Sequence, residues 1–225
     1  SLRISILDGS VAEEKFKVSE SADFIPGNKI ELKIGRDGKL QSLFKGIIVR
    51  QALRAKEHGS SHLQIECKDE AVQLTLGRKN KYFQDIKDSE VLNAVLGSKA
   101  GRIDEGNVKH KELVQFYCTD WDFALSRAEM NGLILLVQDG KVNVIRPKIE
   151  SSPALVLLFG ATIEELDIEM DARTQWQQVS ASSWNYADQS LLQAQSSGTI
   201  IKEAGNLSGS DLAKAVSPSD LQLRH

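Results

Sequence analysis

The stretch FYCTDWDFALSRAEMNGLILL, residues 116–136, contains side chains from which an active site could be built. A thiol, three acids and an arginine lie close together in it: Cys118, Asp120, Asp122, Glu129 and Arg127. Such groups could serve as a nucleophile and as general acids or bases. On a helix, however, Asp120 and Asp122 would point about 200° apart around the axis, away from a common site. We therefore predict that they do not form a catalytic pair.

The same stretch has the pattern of a capped amphipathic helix. Thr119 is followed three residues later by Asp122, which fits a capping box, and acids in a first turn stabilise the helix dipole. Apolar residues at helical spacing predict one buried face, made of Trp121, Ala124, Leu125 and Ala128. We interpret the acids and the arginine as the cap and surface of this helix, with Trp121 and Phe123 as its anchors.

A hairpin should follow this helix. Asn131-Gly132 predicts the helix end, and LILLVQ begins a strand. Asp139-Gly140 predicts a tight turn, after which KVNVIRP returns antiparallel. Pro147 and the following ESSP then predict a boundary in the chain.

Two other groups of residues could do chemistry. His58, His62 and Cys67 lack a fourth metal ligand at a typical spacing, and EHGSSH is typical of a hairpin turn. No nucleophile elbow, phosphate-binding loop, dinucleotide fingerprint or zinc-protease motif occurs in the sequence. We expect no catalytic residue, no metal and no cofactor.

An acidic row is predicted in LDIEMD, residues 166–171. On a strand, Asp167, Glu169 and Asp171 would share one face at a spacing of about 7 Å. The row is either a solvated face or a docking surface for a basic partner. A carboxylate pair for glycoside hydrolysis is disfavoured, because no aromatic groove for a sugar lies near it.

Composition predicts a folded protein rather than a nucleic-acid or membrane binder. The 225 residues include 41% hydrophobic ones, and 28 basic against 31 acidic residues give a net charge of −3. The longest apolar run, ALVLLFGA (154–161), is too short for a membrane span and predicts a buried strand. We expect Cys67 and Cys118 to be buried, reduced thiols. No signal peptide is visible, although the chain begins at Ser1 without a methionine.

The remaining patterns predict an α+β, mainly β fold. KIELKIG, SLFKGIIVRQAL and HLQIECK alternate like strands of a barrel or sandwich. Asp88 or Ser89 should cap a helix that ends at Gly97, with a buried face of Val91, Leu92, Val95 and Leu96. QQVSASSWN (177–185) predicts a strand, and SDLAKAVS (210–217) predicts a short helix in a Ser- and Gly-rich tail.

A weak internal echo relates the strand regions on either side of the helices. LFKGIIV before LQIECKD is similar to LFGATIEEL before QVSASSWN, which suggests a duplicated small barrel. The predicted organisation has four parts: a first β-barrel (1–80), a middle helix and hairpin region (81–149), a second β-barrel (150–195) and a tail with a short helix (196–225).

The middle region resembles the hub region of Vgr spike proteins of type VI secretion systems and the related baseplate hub proteins of contractile phage tails. YFQDIKDSEVLNAVLG (82–97) and VQFYCTDWDFALSRAEMNGLILLVQDGKV (114–142) are similar to two phrases of that family. The first phrase covers Phe83, Gln84 and Asp85. The second covers Gln115, Phe116, Thr119, Asp120, Trp121, Phe123, Arg127, Glu129 and Gly132.

The resemblance implies a structural hub rather than an enzyme. In that family the hub is a homotrimer whose chains each contribute two similar barrels, so that a pseudo-sixfold ring meets the hexameric tail tube. The expected partners are further copies of the chain, the tube protein and spike or effector domains, with no nucleic acid and no stable membrane insertion. Assembly in the cytoplasm would precede delivery outside the cell. Because nothing like the spike follows, we expect a compact hub or a hub fragment.

Two alternatives from other classes stay open. A tail-associated cell-wall hydrolase would require a pair of carboxylates in a deep cleft. A carbohydrate-binding module would require exposed coplanar aromatic rings, for which Trp176 and Trp184 are the candidates. Strand alternation makes both tryptophans at least as suited to a core.

Overall fold

The chain forms two compact units, Ser1–Arg146 and Pro147–His225. The computed structural model describes residues 1–10, 12–56, 59–106, 108–148, 152–153, 155–173, 175–196, 206–216 and 221–224. The predicted first barrel and nearly all of the predicted middle region lie in the first unit. Among the described residues, no helix has both the length and the apolar character needed to cross a bilayer.

The first unit begins with a four-stranded antiparallel sheet that curls into a half-barrel. Its strands are β1 (Leu2–Leu7), β2 (Lys29–Arg36), β3 (Lys39–Arg54) and β4 (His62–Lys68), in the order β1-β4-β3-β2. Alternation turns one face of the sheet toward a small core. The buried residues of that core are Ile48, Leu63, Ile65 and Cys67. The strands predicted in this third of the chain are confirmed.

Curvature enters the half-barrel along β3, which is 16 residues long. A Cβ atom on Gly46 would lie 2.3 Å from the carbonyl oxygen of Lys68, so the close approach of β3 to β4 requires glycine there. Register shifts in both ladders of β3 mark bulges. Because bulges bend and twist a strand, they let this sheet curl.

Two helices and two more sheets complete the first unit. The elements are β5 (Lys79–Lys87), α1 (Asp88–Leu96), β6 (Ala100–Ile103), β7 (Lys109–Cys118), α2 (Asp120–Met130), β8 (Ile134–Gln138) and β9 (Lys141–Ile145). β5 pairs antiparallel with β7, and β9 lies between β6 and β8. The helices and strands share one core, whose buried residues include Val91, Leu92, Ala124, Ala128, Val142 and Val144.

Both predicted helices of this region are confirmed. The predicted face of α1 is buried, and Gly97 follows the helix with φ of +53°. Thr119 caps α2, where its Oγ1 accepts a hydrogen bond from the Asp122 amide at 3.0 Å. The hairpin of β8 and β9 is also confirmed, with its turn at Asp139 and Gly140.

Three details of this region differ from the predictions. The cap of α1 is Lys87, so the prediction of Asp88 or Ser89 is wrong; Asp88 is the first helical residue and its side chain is buried. Strands β5, β6 and β7 were not predicted. β5 and β7 each contain a residue with positive φ, Asp85 at +48° and Tyr117 at +43°, which interrupts the regular alternation of a strand.

The predicted buried face of α2 is confirmed at Ala124 and Ala128 but is wrong at Leu125 and only partly right at Trp121. Leu125 is 36% exposed and Trp121 is only partly buried. The buried side chains instead form the stripe Asp120, Phe123, Ala124, Arg127 and Ala128. Apolar periodicity alone could not identify this face, because two of its five members are charged and are buried through ion pairs.

The second unit contains a three-stranded sheet and a helix. Its elements are β10 (Val179–Asn185), β11 (Ser190–Gln195), α3 (Gly209–Val216) and β12 (Leu221–Arg224). β10 is the central strand, antiparallel to β11 and parallel to β12. The predicted strand at 177–185 and the helix near 210–217 are confirmed. The fold as a whole is α+β and mainly β, as predicted.

Two strands predicted in the second unit are absent from its described residues. The apolar run at 155–159 has no ladder beyond an isolated bridge from Phe159 to Ile163, and Phe159 is 94% exposed. Residues 165–171 have no regular secondary structure. The expectations of a buried strand at 154–161 and of a strand face at 166–171 are therefore wrong, because a strand needs a partner for its backbone groups. Residue 154 itself lies outside the described residues.

Candidate functional site

The two phrases that resemble hub proteins meet in space through the pairing of β5 with β7. Phe83 lies opposite Leu113 in this ladder. The Phe83 ring stacks on Phe123 of α2, with ring centroids 6.2 Å apart and an interplanar angle of 8°. Because Phe123 is only 7% exposed, this contact attaches α2 to the sheet within the core.

A buried polar cluster joins α1 to α2. The carboxylate of Asp88 accepts hydrogen bonds from Arg127 Nε at 2.6 Å and from Asn131 Nδ2 at 3.0 Å. Asp88 and Arg127 are 3% and 7% exposed, so both charges are withdrawn from water. A buried pair of this kind tolerates loss of neither partner, because the remaining charge would be uncompensated.

The ionisation of Asp88 follows from these contacts. Burial by itself would raise the pKa of Asp88, but hydrogen bonds from Arg127, Asn131 and His110, together with the Arg127 charge, lower the pKa to about 2. The carboxylate therefore stays charged at neutral pH, as its guanidinium partner requires.

His110 of β7 completes this cluster. Its Nε2 lies 2.9 Å from Asp88 Oδ2 and 3.1 Å from Arg127 Nη2. That nitrogen can donate to the carboxylate only when protonated, and can accept from the guanidinium only when it has a free lone pair. His110 therefore makes one of these two hydrogen bonds at a time. Its imidazole links β7 to Asp88 of α1 or to Arg127 of α2.

A second buried acid lies at the start of α2. Asp120 is 4% exposed, forms an ion pair with Lys79 of β5, and accepts a hydrogen bond from Gln115 Nε2 at 3.0 Å. Burial would raise the pKa of Asp120, but the contacts with Lys79 and Gln115 lower it. The positive end of the helix dipole also favours a carboxylate at this position. Asp120 thus connects α2 to both strands of the sheet.

On its outer side the same sheet presents aromatic residues to solvent. A register shift near Lys81 bulges the chain at Phe116 and Tyr117, which are 81% and 60% exposed. The Tyr117 amide donates to Asn80 Oδ1 at 2.8 Å, and the Arg78 guanidinium lies 5.1 Å from the centroid of the Tyr117 ring. The bulge is held in place by specific contacts while its rings face solvent.

Two paired residues extend this outer face. Tyr82 lies opposite Val114 in the ladder, and they are 55% and 50% exposed. We name these four residues, Tyr82, Val114, Phe116 and Tyr117, the aromatic patch. An exposed apolar surface of this kind suits contact with a protein.

The structure separates the residues of the family phrases into inner and outer groups. Gln115, Asp120, Phe123 and Arg127 are buried in the core. The interpretation of Asp120 and Arg127 as helix cap and surface is therefore wrong, because both side chains turn inward to charged partners. Gln84, Asp85 and Glu129 are exposed, Trp121 packs partly against the core, and Gly132 follows α2 with φ of +64°.

Sequence reasoning missed four residues of the polar clusters: Lys79, Asp88, His110 and Asn131. Asp88 and Arg127 are 39 positions apart, and no local pattern relates them. Asp88 was considered only as a cap. One signal in the sequence could have found the pair. Each helix has a charged residue, Asp88 or Arg127, at a position where helical periodicity places the core.

The other candidate residues belong to the second unit. Asp167, Glu169 and Asp171 are exposed, and Asp171 forms an ion pair with Arg173. Trp176 and Trp184 are 38% and 46% exposed, so neither is fully buried. Whether the acidic residues form an interface stays a prediction.

The cysteine and metal expectations have separate outcomes. Cys67 and Cys118 are free thiols, and Cys67 is buried, which raises its pKa, whereas Cys118 is partly exposed. His58 lies outside the described residues. Among the residues that are described, no three His, Cys, Asp or Glu side chains are grouped to hold a metal ion.

Comparison with solved structures relates the fold to tail proteins. The 43 kDa tail protein of prophage MuSo2 from Shewanella oneidensis aligns with 99% of this chain at 11% identity and a TM-score of 0.58. This chain spans 63% of that protein, less than two thirds of its length. A tail protein from Neisseria meningitidis MC58 aligns with 86% of this chain and 68% of its own, at 20% identity and a TM-score of 0.53. The chain therefore has a tail-protein fold.

A third structure is too distant to support an argument. The E. coli c3393 protein, described as a component of the type VI secretion system, aligns with 51% of this chain and 35% of its own at 10% identity, with a TM-score of 0.37. No curated protein matches the sequence. The profile of the Alg8 N-terminal domain matches residues 1–225, the whole sequence. The chain therefore belongs to the Alg8 N-terminal domain family.

Proposed function

We propose that the chain is a structural hub component of a contractile injection machine, of the type VI secretion or phage-tail kind. In this role it trimerises and joins the tail tube to the puncturing spike. It acts by assembly and not by catalysis. The Vgr-type hub is the specific relative that the sequence phrases favour.

One observation carries this proposal: the two stretches that resemble hub proteins pack against each other around a single core. Phe83 of the first phrase stacks on Phe123 of the second. Asp88 and Arg127, one in each phrase, form a buried ion pair. The similarity thus concerns residues that hold the domain together, in a chain with a tail-protein fold.

The charge and surface of the molecule support a partner that is a protein. The net charge of −3 gives the molecule no overall positive charge that would attract nucleic acid. The aromatic patch is exposed on a rigid ribbon and is of the composition that protein interfaces favour. The proposed partners are further copies of the chain, a hexameric tube protein, and spike or effector domains. Cytoplasmic assembly followed by export with the spike is part of this proposal.

Co-purification with the candidate tube protein tests the proposal. The full chain should form a complex with the tube protein, and light scattering should give a mass that contains three copies of the chain. Phe116→Ser combined with Tyr117→Ser provides a variant whose fold should survive, since both rings are exposed. We expect this variant to bind the tube protein more weakly than the native chain.

Two results would contradict the proposal. A chain that stays monomeric and ignores the tube protein at micromolar concentration is not a hub. A chain that cleaves cell-wall glycan in the same preparation would favour the hydrolase alternative.

Glu129→Ser is the matched control for the double substitution of Phe116 and Tyr117, because Glu129 is exposed on α2 outside the aromatic patch. It should leave binding of the tube protein unchanged.

A further inference from the structure

An acidic segment in the second unit, residues 165–171, lacks a strand partner among the described residues. Residues 165–171 alternate apolar and acidic side chains, as a half-buried strand does. Leu166, Ile168 and Met170 are nevertheless 56%, 80% and 63% exposed. Three exposed apolar side chains are costly to leave in water, and the alternation would place them on one face if the segment paired as a strand with a partner.

The half-barrel of the first unit has an edge of matching character. β2 pairs with β3 on one side and with no described strand on the other. Its apolar row, Ile30, Leu32 and Ile34, becomes more exposed along the strand, and Ile34 is 57% exposed. An open edge of this kind presents unpaired N–H and C=O groups to an incoming strand.

The polar face at this edge is positively charged. Lys33 Nζ and Lys45 Nζ lie 3.2 Å and 3.8 Å from the same carboxylate, that of Glu31. Lys29 on this face has an 82% exposed side chain, and its Nζ lies 3.0 Å from Glu70 Oε1. Three lysines against two glutamates leave one excess positive charge, whereas every polar residue of segment 166–171 is an acid.

We propose that residues 165–171 of one copy of this chain add as a fifth strand to the β2 edge of a second copy. Strand addition extends the apolar row of β2 with Leu166, Ile168 and Met170. It also places Asp167 and Glu169 beside the lysines of the polar face. Residues two apart on a strand are separated by about 7 Å on both partners, so the rows stay in step.

This contact joins two different surfaces, and such head-to-tail contacts generate rings when the rotation closes. The inference rests on the proposed function for the choice of a ring, and it deepens that proposal by naming the segments through which the copies pair. We take the partner to be a second copy because the acidic segment and the edge with its excess lysine, both present in this chain, are complementary in charge.

Reciprocal charge reversal tests the pairing in the full chain. Asp167→Lys with Glu169→Lys makes the segment basic, and Lys33→Glu with Lys45→Glu makes the edge acidic. Each pair of substitutions alone should weaken self-association on the order of tenfold or more in sedimentation velocity, because like charges then face each other. All four substitutions in one chain should restore association, as should an equal mixture of the two reversed chains.

Controls separate this effect from misfolding and from general charge effects. Lys109→Glu with Lys111→Glu changes the net charge by the same amount on exposed residues of β7 and should leave association unchanged. All substituted positions are at the surface, so circular dichroism and thermal unfolding should match the native chain. Hydrogen exchange should show protection of 29–36 and 165–171 that grows with protein concentration.

Three outcomes would overturn the inference: a monomer at the highest soluble concentration, association that the reversals leave unchanged, or no restoration when both surfaces are reversed. If the charge reversals leave self-association unchanged while the chain still binds the tube protein, this inference fails and the proposed function stands. If the combined reversals restore self-association but the chain does not bind the tube protein, the strand pairing is supported and the proposed function fails.

Discussion

The middle region of the first unit and the segment 155–171 of the second differ in which kinds of side chain they bury and which they expose. In the middle region, charged side chains lie inside the core, where Asp88, Asp120 and Arg127 each have a charged partner. In the second unit, apolar side chains such as Leu155 and Ile168 lie outside, at 73% and 80% exposure. The buried charges of the middle region have partners within it, whereas the apolar side chains of segment 155–171 are left uncovered by its own described residues.

This difference indicates which part of the chain is a scaffold and which part is a contact surface. A buried ion pair requires a fixed geometry, which a packed core supplies. Exposed apolar rows require a partner that removes them from water. Substitutions at these positions should therefore differ: those at the buried charges of the middle region should change folding stability, and those at the exposed apolar residues of segment 155–171 should change association.

The largest effect should follow from Arg127→Ala. This change removes the guanidinium that compensates the buried Asp88 carboxylate, and we expect a loss of about 3–5 kcal/mol in the free energy of unfolding. Urea denaturation followed by circular dichroism measures it. Glu129→Ala, two residues away and exposed, is the control and should stay within about 0.5 kcal/mol of the native chain. Equal effects for the two variants would remove the contrast between buried and surface charges.

Removing the charge of Asp88 should have a smaller effect at neutral pH. Asp88→Asn keeps an oxygen acceptor for Arg127 and loses only the charge assistance, so we expect a cost of about 1.5–3 kcal/mol. Chemical denaturation at pH 7 measures this value. A cost near zero would show that the ion pair adds nothing beyond packing.

The pH dependence of this variant sharpens the comparison. The folded pKa of Asp88 is lowered from 3.8 to about 2, so the unfolded chain takes up the proton first as the pH falls. The stability from the Asp88 charge is therefore present above about pH 4 and is lost as the pH falls toward 2. The difference between the native chain and Asp88→Asn should shrink across this window. A constant difference from pH 6 to about pH 2 would contradict the assignment.

Sequence patterns identified the elements of this chain better than its contacts. The helices at 88 and 120 were predictable from 3.6-residue periodicity, and the second also from its Thr119 cap, which are local properties. The β8–β9 hairpin was predictable for the same reason, since Asp139-Gly140 specifies its turn. The pairing of β5 with β7 was not, because a bulge and a residue of positive φ in each strand obscure the alternation.

The buried charges show why the candidate site was misread. A rule that places charges at the surface holds for most residues. It fails at Asp120 and Arg127, whose partners Lys79 and Asp88 lie roughly 40 residues earlier in the chain. At 166–171 the reverse occurred, since the alternation predicts a strand but no described residue pairs with it. Both errors arise from partners that the local sequence does not specify.

A substitution in the half-barrel should have an effect of intermediate size on the free energy of unfolding. Gly46→Ala places a Cβ atom against the Lys68 carbonyl, and the backbone must shift to admit it. We expect a loss of about 1–3 kcal/mol, as for other overpacked sites. Gly38→Ala is a control in the open β2–β3 turn, where no heavy atom lies within 4 Å, although its φ of +77° adds some strain. Thermal unfolding of both variants should rank Gly46→Ala as the less stable.

The smallest effect on folding should come from Ile168→Ser. The side chain is 80% exposed, so the isolated chain gains or loses little apolar burial, and the change in unfolding free energy should stay within about 0.5 kcal/mol. Self-association should nevertheless weaken, because Ile168 lies in the apolar row of the proposed fifth strand. Denaturation and sedimentation velocity on the same preparation separate the two effects. A large loss of stability without a change in association would mean that Ile168 belongs to the fold of its own unit, and the contrast between scaffold and contact surface would not hold there.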